Sequence, residues 1–293
     1  MQIKSGVINV YKEAGYTSHD VVAIVRKITK TKAGHTGTLD PDACGVLPIC
    51  IGRATKFASF FAGQEKTYVC EVVLGVVTDT WDMTGVVLEK RNVNVSDDDI
   101  INAVESFSFL RRGVYMQTPP MYSAVKVGGK KLYEIARKGE IIRREPRPVQ
   151  IREICVREVT PKGFAMEVTC SKGTYIRSLC MDIGDMLGCG AAMGQLTRTV
   201  SGLFKIDDSV KIGTLRDAPD INKYIMQLTA LLPYPILEVK PEGIKLLKNG
   251  NPIDCELAAT TDCNSQYYWL SNDGHITGLY KKLENKFRLE VML

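Results

Sequence analysis

The chain has 293 residues, 45% apolar, 24% charged and 8% aromatic, with 38 Lys and Arg against 33 Asp and Glu for a net charge of +5. This composition excludes collagen-like, fibrous and disordered classes, and the length predicts about two domains, or one large domain with an appendage. No apolar run reaches the roughly 18 residues of a membrane helix and no signal-peptide pattern opens the chain, so the sequence predicts neither a membrane span nor export.

A short strand is predicted over 7–11. A helix follows it, capped by Thr17 or Ser18, with Val21, Val22, Ile24, Val25 and Ile28 on one face. Residues 32–45, with Gly34, Gly37, Gly45 and Pro41 and no hydrophobic period, read as a structured loop of the kind that carries function. Alternation over 66–74 puts Tyr68, Cys70, Val72 and Leu74 on one strand face and Val69, Glu71 and Val73 on the other, and predicts both faces covered. Ser96 and three aspartates open a capped helix through Ile100, Ile101, Val104 and Phe107.

A short helix over 131–138 is stopped by Gly139, and strands over 149–159 and 164–170 form a hairpin about a turn at 160–163. Residues 174–187 read as a helix ended by Gly188. Pro233 and Pro235 mark a boundary near 236, after which Gly- and Asn-punctuated short strands over 237–293 predict a small β-barrel-like domain. Strands and helices without a βαβ beat predict an α+β fold with a mixed, mostly antiparallel sheet.

Nine cysteines, none in a C-x-x-C pair, predict free thiols in a reducing, cytoplasmic setting. His19, His35 and His275 lack metal-ligand spacing, so no metal is expected. Asp40, pushed out of the α region by Pro41, fits a catalytic carboxylate as well as an Asx-turn. Arg177, two residues after Tyr175 at a helix start, fits a partner for a distant carboxylate as well as a surface cation. Tyr68 fits a stacking face or a core residue, Leu196 a core residue, and His35 a loop hydrogen-bonder or a stacking partner.

Charge is concentrated over 126–147. Lys126, Lys130, Lys131, Arg137, Lys138, Arg143, Arg144 and Arg147 face only Glu134, Glu140 and Glu145, a net +5 equal to the excess of the whole chain. Gly128-Gly129 and Pro146 bound this stretch, which reads either as a mobile basic arm tracking a phosphate backbone or as a solvated loop.

Gly34-His35-Thr36-Gly37-Thr38-Leu39-Asp40-Pro41, with Gly45-Val46-Leu47-Pro48 and Gly52-Arg53-Ala54-Thr55-Lys56, resembles the signature of TruB-type tRNA pseudouridine synthases. The resemblance continues through Lys66-Thr67-Tyr68, Thr78-Asp79-Thr80-Trp81-Asp82, Pro119-Pro120-Met121-Tyr122-Ser123-Ala124-Val125-Lys126, Gly173-Thr174-Tyr175-Ile176-Arg177-Ser178-Leu179 and Gln195-Leu196-Thr197-Arg198-Thr199. Trp81 departs from it, since a small residue is more usual there.

The resemblance implies a pseudouridine synthase domain over 1–236 with an RNA-gripping insertion at about 124–150, and a PUA-like domain over 237–293. It implies isomerisation of a flipped-out uridine in the TΨC loop of tRNA, with Asp40 catalytic. It gives Arg177 the task of keeping Asp40 charged, Tyr68 stacking on uracil, Tyr175 a place beside the ring, Leu196 the pocket wall and His35 a nucleotide contact. Lys126, Lys130, Lys131, Arg143 and Arg144 would meet the RNA backbone. No cofactor, metal or obligate protein partner is implied, and a monomer is expected. The rival reading is a non-catalytic tRNA-binding protein or RNA-folding chaperone using the same basic surface.

Overall fold

The computed structural model describes residues 5–109, 114–258 and 265–293. Strand β1 (Gly6–Lys12) leads to helix α1 (Ser18–Thr29), whose start is fixed by a reciprocal cap: Asp20 N donates to Thr17 Oγ1 at 3.1 Å, and Asp20 Oδ2 accepts from Thr17 N at 2.8 Å. Two strands, β2 (Ala33–His35) and β3 (Cys44–Ile51), occupy much of the segment that reads as loop and the run after it. Gly45 and Pro48 hide β3 from pattern reading, yet it pairs along its length with β1. The Pro48 carbonyl accepts from Thr36 N at 3.1 Å, so its backbone faces the β2 side. The missing N–H therefore costs the β1 ladder nothing.

The chain continues through α2 (Ala58–Ala62), β4 (Lys66–Leu74), the hairpin β5 (Val76–Thr78) and β6 (Val87–Lys90), and α3 (Asp97–Phe109). Next come β7 (Tyr115–Gln117), β8 (Lys126–Val127), β9 (Lys130–Lys131), α4 (Leu132–Ala136), β10 (Arg147–Val149), β11 (Ile151–Thr160) and β12 (Gly163–Cys170). After them lie α5 (Ile176–Met186), β13 (Ala191–Ser201), β14 (Phe204–Lys205) and β15 (Val210–Lys211).

A nine-stranded sheet runs β11-β12-β4-β13-β3-β1-β15, with β14 on β13 and β2 on β3. Its pairs are antiparallel except β1 with β15 and β13 with β3. Val21 and Val25 of α1, Ile100 and Val104 of α3, and Leu179 and Ile183 of α5 share one core with Ile8, Ile49, Cys70 and Val168 of the sheet. One face of β4 is fully buried. The other is only partly covered, with Glu71 exposed. Cys44, Cys50, Cys70, Cys155, Cys170, Cys180 and Cys189 are free thiols, five of them buried and Cys155 exposed; Cys263 lies outside the described residues.

The basic stretch is folded. Gly128 and Gly129, at φ 58° and 83°, make the tight turn between β8 and β9, and only glycine adopts that pair without cost. Leu132 and Ile135 of α4 bury against Met121 in a small separate apolar cluster, and β10 returns the chain to β7.

Strands β16 (Ile236–Glu238), β17 (Ile253–Asp254), β18 (Tyr267–Asn272), β19 (His275–Leu283) and β20 (Lys286–Met292) form a second, half-barrel sheet in the order β16-β18-β19-β20-β17. Its Tyr268, Leu270 and Tyr280 pack with Leu247 and Phe287 in a core of their own. Its Trp269 and Leu279 join Phe57, Phe61, Leu228 and Leu232 of the main body. The two sheets are thus fused through an apolar seam. Among the described residues no helix is long and apolar enough to cross a membrane.

Candidate active site

Asp40 lies in the loop between β2 and β3, and the backbone on either side of it is held. Ser18 Oγ donates to Leu39 O at 3.0 Å and accepts from Leu39 N at 2.9 Å. The buried Lys12 Nζ and Gly15 N both donate to Pro41 O, at 2.7 and 3.0 Å. Arg198, itself buried in β13, donates from Nε to Val46 O at 2.7 Å and from Nη2 to Gly37 O at 3.1 Å. At about 1 kcal/mol net for each bond, α1, β1 and β13 together fix the loop. Gly45 is obligatory here: its φ is 103°, and a Cβ would stand 2.2 Å from Arg198 O.

The Asp40 side chain remains 42% exposed while meeting a buried cation, with Arg177 Nε 3.1 Å from Oδ2 and Nη2 donating to Oδ1 at 3.3 Å. This two-point contact fixes the carboxylate plane. Arg177 stands at the start of α5 and is locked by Tyr122 O, which accepts from Nη2 at 2.9 Å. Its Nη1 faces Asp82 Oδ2 at 3.5 Å. Asp82 is in turn fixed through Oδ1, which accepts from Thr80 Oγ1 at 2.7 Å and Thr84 Oγ1 at 2.6 Å. Burial pushes the Asp40 carboxyl above the usual aspartate range; Arg177 opposes that shift and Asp82 adds to it.

Tyr68 and Leu196 come together through strand register. Arg198 pairs with Tyr68, and Leu196 with Cys70, so Tyr68 and Leu196 are diagonal neighbours on one buried face. Burial pushes the Tyr68 phenol up, as it does that of Tyr175, and the Asp40 charge adds to both shifts. Tyr175 is held by its backbone: Gln117 Oε1 accepts from its N at 2.7 Å, and Gln117 Nε2 donates to its O at 3.0 Å. His35 ends β2, where its Nδ1 accepts from Gly37 N at 3.3 Å and its ring meets the edge of His19 with centroids 5.3 Å apart. Burial pushes His35 below the ordinary histidine value, which keeps it neutral near pH 7. The Asp40 carboxylate thus lies near enough to Tyr68 and Tyr175 for its charge to act on both phenols.

Residues 25–176 match the family model described as TruB family pseudouridylate synthase (N terminal domain), and residues 177–232 match that of the tRNA pseudouridylate synthase B C-terminal domain. The chain is 44% identical to the tRNA pseudouridine synthase B of Clostridium novyi (strain NT) over 292 residues, covering 99% of each. The chain belongs to the TruB family.

A TruB-family relative from Alkaliphilus oremlandii (strain OhILAs), also a tRNA pseudouridine synthase B, is 46% identical over 255 residues, 85% of this chain and 83% of that protein. Among solved structures, a chain of a Cbf5-Nop10-Gar1 complex is 27% identical with a TM-score of 0.72, covering 100% of this chain and 85% of that one. As a TruB-family enzyme the protein is an isomerase that forms pseudouridine from uridine in tRNA.

In this TruB-family chain Lys126, Lys130 and Arg143 are exposed on the arm, and Lys131 is half-buried with Nζ 5.4 Å from the centre of the Tyr133 ring. Arg144 behaves differently. Its guanidinium stacks over Trp81, 5.0 Å from the ring centre, and Nη1 donates to Pro119 O at 3.2 Å. Trp81 has φ 64°, a left-handed conformation that costs a bulky side chain about 1–3 kcal/mol. Sequence reasoning left Asp82, Arg198, Lys12 and Gln117 without roles. The chain marks Asp82 only by its flanking Thr80 and Thr84, whose hydroxyls donate to its carboxylate; its burial beside Arg177 is a matter of the fold.

Proposed function

We propose that the chain isomerises the uridine that becomes the Ψ of the TΨC loop of tRNA, with Asp40 as the catalytic carboxylate. One observation carries the assignment: Asp40 is half-open to solvent, yet both its oxygens lie against the buried Arg177 guanidinium. A carboxylate so placed stays ionised in a partly desolvated cleft, as a nucleophile or base must.

The target base leaves the stack to reach the cleft. Tyr68 stacks on it, Leu196 walls the pocket, and His35 contacts the flipped nucleotide or its neighbour. The C1′–N1 bond breaks, the uracil turns, C1′–C5 forms, and the C5 proton leaves as N1 gains one. Asp40 attacks the ribose, attacks the ring, or removes a ribose proton; each route needs it charged and needs no cofactor for balance. Tyr175 lies near the ring and helps move the C5 proton. Lys126, Lys130, Lys131 and Arg143 follow the phosphate backbone, and residues 237–293 serve as a PUA-like RNA-binding module.

The test is tritium release from tRNA carrying 5-tritiated uridine, with the modified site mapped on the RNA. Asp40→Asn is expected to abolish release while tRNA binding stays within about threefold. Release at the wild-type rate would overturn the role of Asp40, and a mapped site outside the TΨC loop would overturn the substrate position.

A further inference from the structure

Two routes join the basic arm to the catalytic side chains. At its base, Ser178 Oγ donates to Thr118 O at 2.8 Å, and Gln117 and Tyr122 hold Tyr175 and Arg177. At its far end, in the segment before β10, Arg144 reaches over to Trp81. Trp81 sits between Thr80, whose carbonyl accepts from Arg177 Nη1 at 3.4 Å, and Asp82, whose Oδ2 faces the same nitrogen. Both peptide groups of Trp81 are engaged, N donating to Thr78 O at 3.4 Å and O accepting from Met193 N at 3.0 Å. A displacement of the indole therefore moves the turn that supports Arg177.

Arg144 is built for this contact rather than for solvent. Its Nε is buried without a hydrogen-bond partner, which is tolerable where the guanidinium plane lies against an aromatic face. The neighbouring Arg143 is 90% exposed and meets only Glu145, at 3.3 Å, among the described ion pairs.

We propose that Trp81 and Arg144 are positioning residues: their stacked pair clasps the arm to the Thr78–Thr84 turn and so sets Asp82, Arg177 and Asp40 when the arm grips RNA. The inference deepens the reading of Asp40 as catalytic carboxylate and rests on it. It gives Arg144 an inward task distinct from the phosphate contacts of Lys126, Lys130 and Arg143. The indole ring transmits the position of the arm.

The test compares Trp81→Gly, Trp81→Phe, Arg144→Ala and the Gly/Ala double variant in single-turnover tritium release at saturating tRNA, with tRNA affinity measured alongside. Glycine relieves the left-handed strain at position 81, so Trp81→Gly is expected to melt no lower than wild type while releasing tritium about tenfold more slowly. Arg144→Ala should slow the step similarly with affinity within about threefold. Trp81→Phe should restore most of the rate, because a phenyl face still accepts a guanidinium. The double variant should be no slower than the slower single.

Three results would each overturn the clasp: wild-type rates in Trp81→Gly, multiplicative losses in the double variant, or an Arg144→Ala whose defect is confined to tRNA affinity and its salt dependence. An active Asp40→Asn, by contrast, overturns the catalytic assignment and leaves the coupling of Trp81 to Arg144 measured in its own right.

Discussion

Arg177 meets Asp40 through two nitrogens, at 3.1 and 3.3 Å, and spends a third on Asp82. One guanidinium therefore balances two carboxylates, one half-open and one buried, and neither acid is matched alone. Arg177→Ala is expected to slow pseudouridine formation by roughly 10²–10³. Without the opposing cation the already raised Asp40 pKa climbs further, so the acid limb of the single-turnover rate moves to higher pH. Arg177→Lys keeps the charge but loses the fork, so it should slow the reaction with a smaller displacement of that limb. An acid limb in Arg177→Ala identical to wild type would show that Arg177 does not maintain the charge of Asp40.

The Asp40 carboxyl makes stability depend on pH. Its folded-state pKa lies above that of an unfolded aspartate because burial outweighs Arg177, so the native state holds this proton more tightly. Its contribution is favourable below the unfolded pKa and is lost as pH rises through the folded one. Asp40→Asn should therefore melt higher than wild type at neutral pH, with the gap closing as pH falls below the ordinary aspartate range. A gap independent of pH would separate the stability effect from the ionisation of Asp40.

Lys126, Lys130 and Arg143 are exposed, so replacing all three with glutamine leaves packing intact. The salt dependence of tRNA binding should flatten by roughly one unit of slope for each phosphate deprived of its cation. A weaker affinity with an unchanged slope would place these side chains away from phosphates.

Trp269 is fully buried at the seam between the two sheets, its ring 5.6 Å from that of Phe57 and its Nε1 donating to Leu232 O at 2.9 Å. Trp269→Ala should cost about 3–5 kcal/mol. Removal of 237–293 should leave Phe57 and Phe61 uncovered and the remainder prone to aggregate. A truncated protein that stays monomeric and melts like the whole would refute the fused seam.

Much of this was legible in the chain. Thr17 with Asp20, and Ser96 with Asp99, announce helix starts because a cap needs only local partners. Leu132 and Ile135 announce α4 by spacing, although their burial against Met121 depends on the return of the chain. Strand β3 was hidden because Gly45 and Pro48 mark breaks in a local reading. Each is accommodated by a neighbour distant in sequence: Arg198 leaves no room for a Cβ at Gly45, and the carbonyl of Pro48 turns towards β2. The meeting of Tyr68 with Leu196 is a matter of register between β4 and β13, which no local pattern contains. Pro41 beside Asp40 and the helix start at Arg177 mark both residues in the chain, while the place of Asp82 beside them is set only in three dimensions.

The grip of Arg198 on the Gly37 carbonyl has a bearing on synthesis. The Asp40 loop is made early, but its clamps at positions 177 and 198 follow more than a hundred residues later. A nascent chain that has exposed only its first half holds the Asp40 loop from one side, through Lys12, Gly15 and Ser18, with Arg177 and Arg198 absent and β4 still lacking β13. Contacts of such long sequence separation form late. Competence for the reaction is therefore deferred until most of the main sheet has closed, and an amino-terminal fragment released before that point carries the signature motif without a working site.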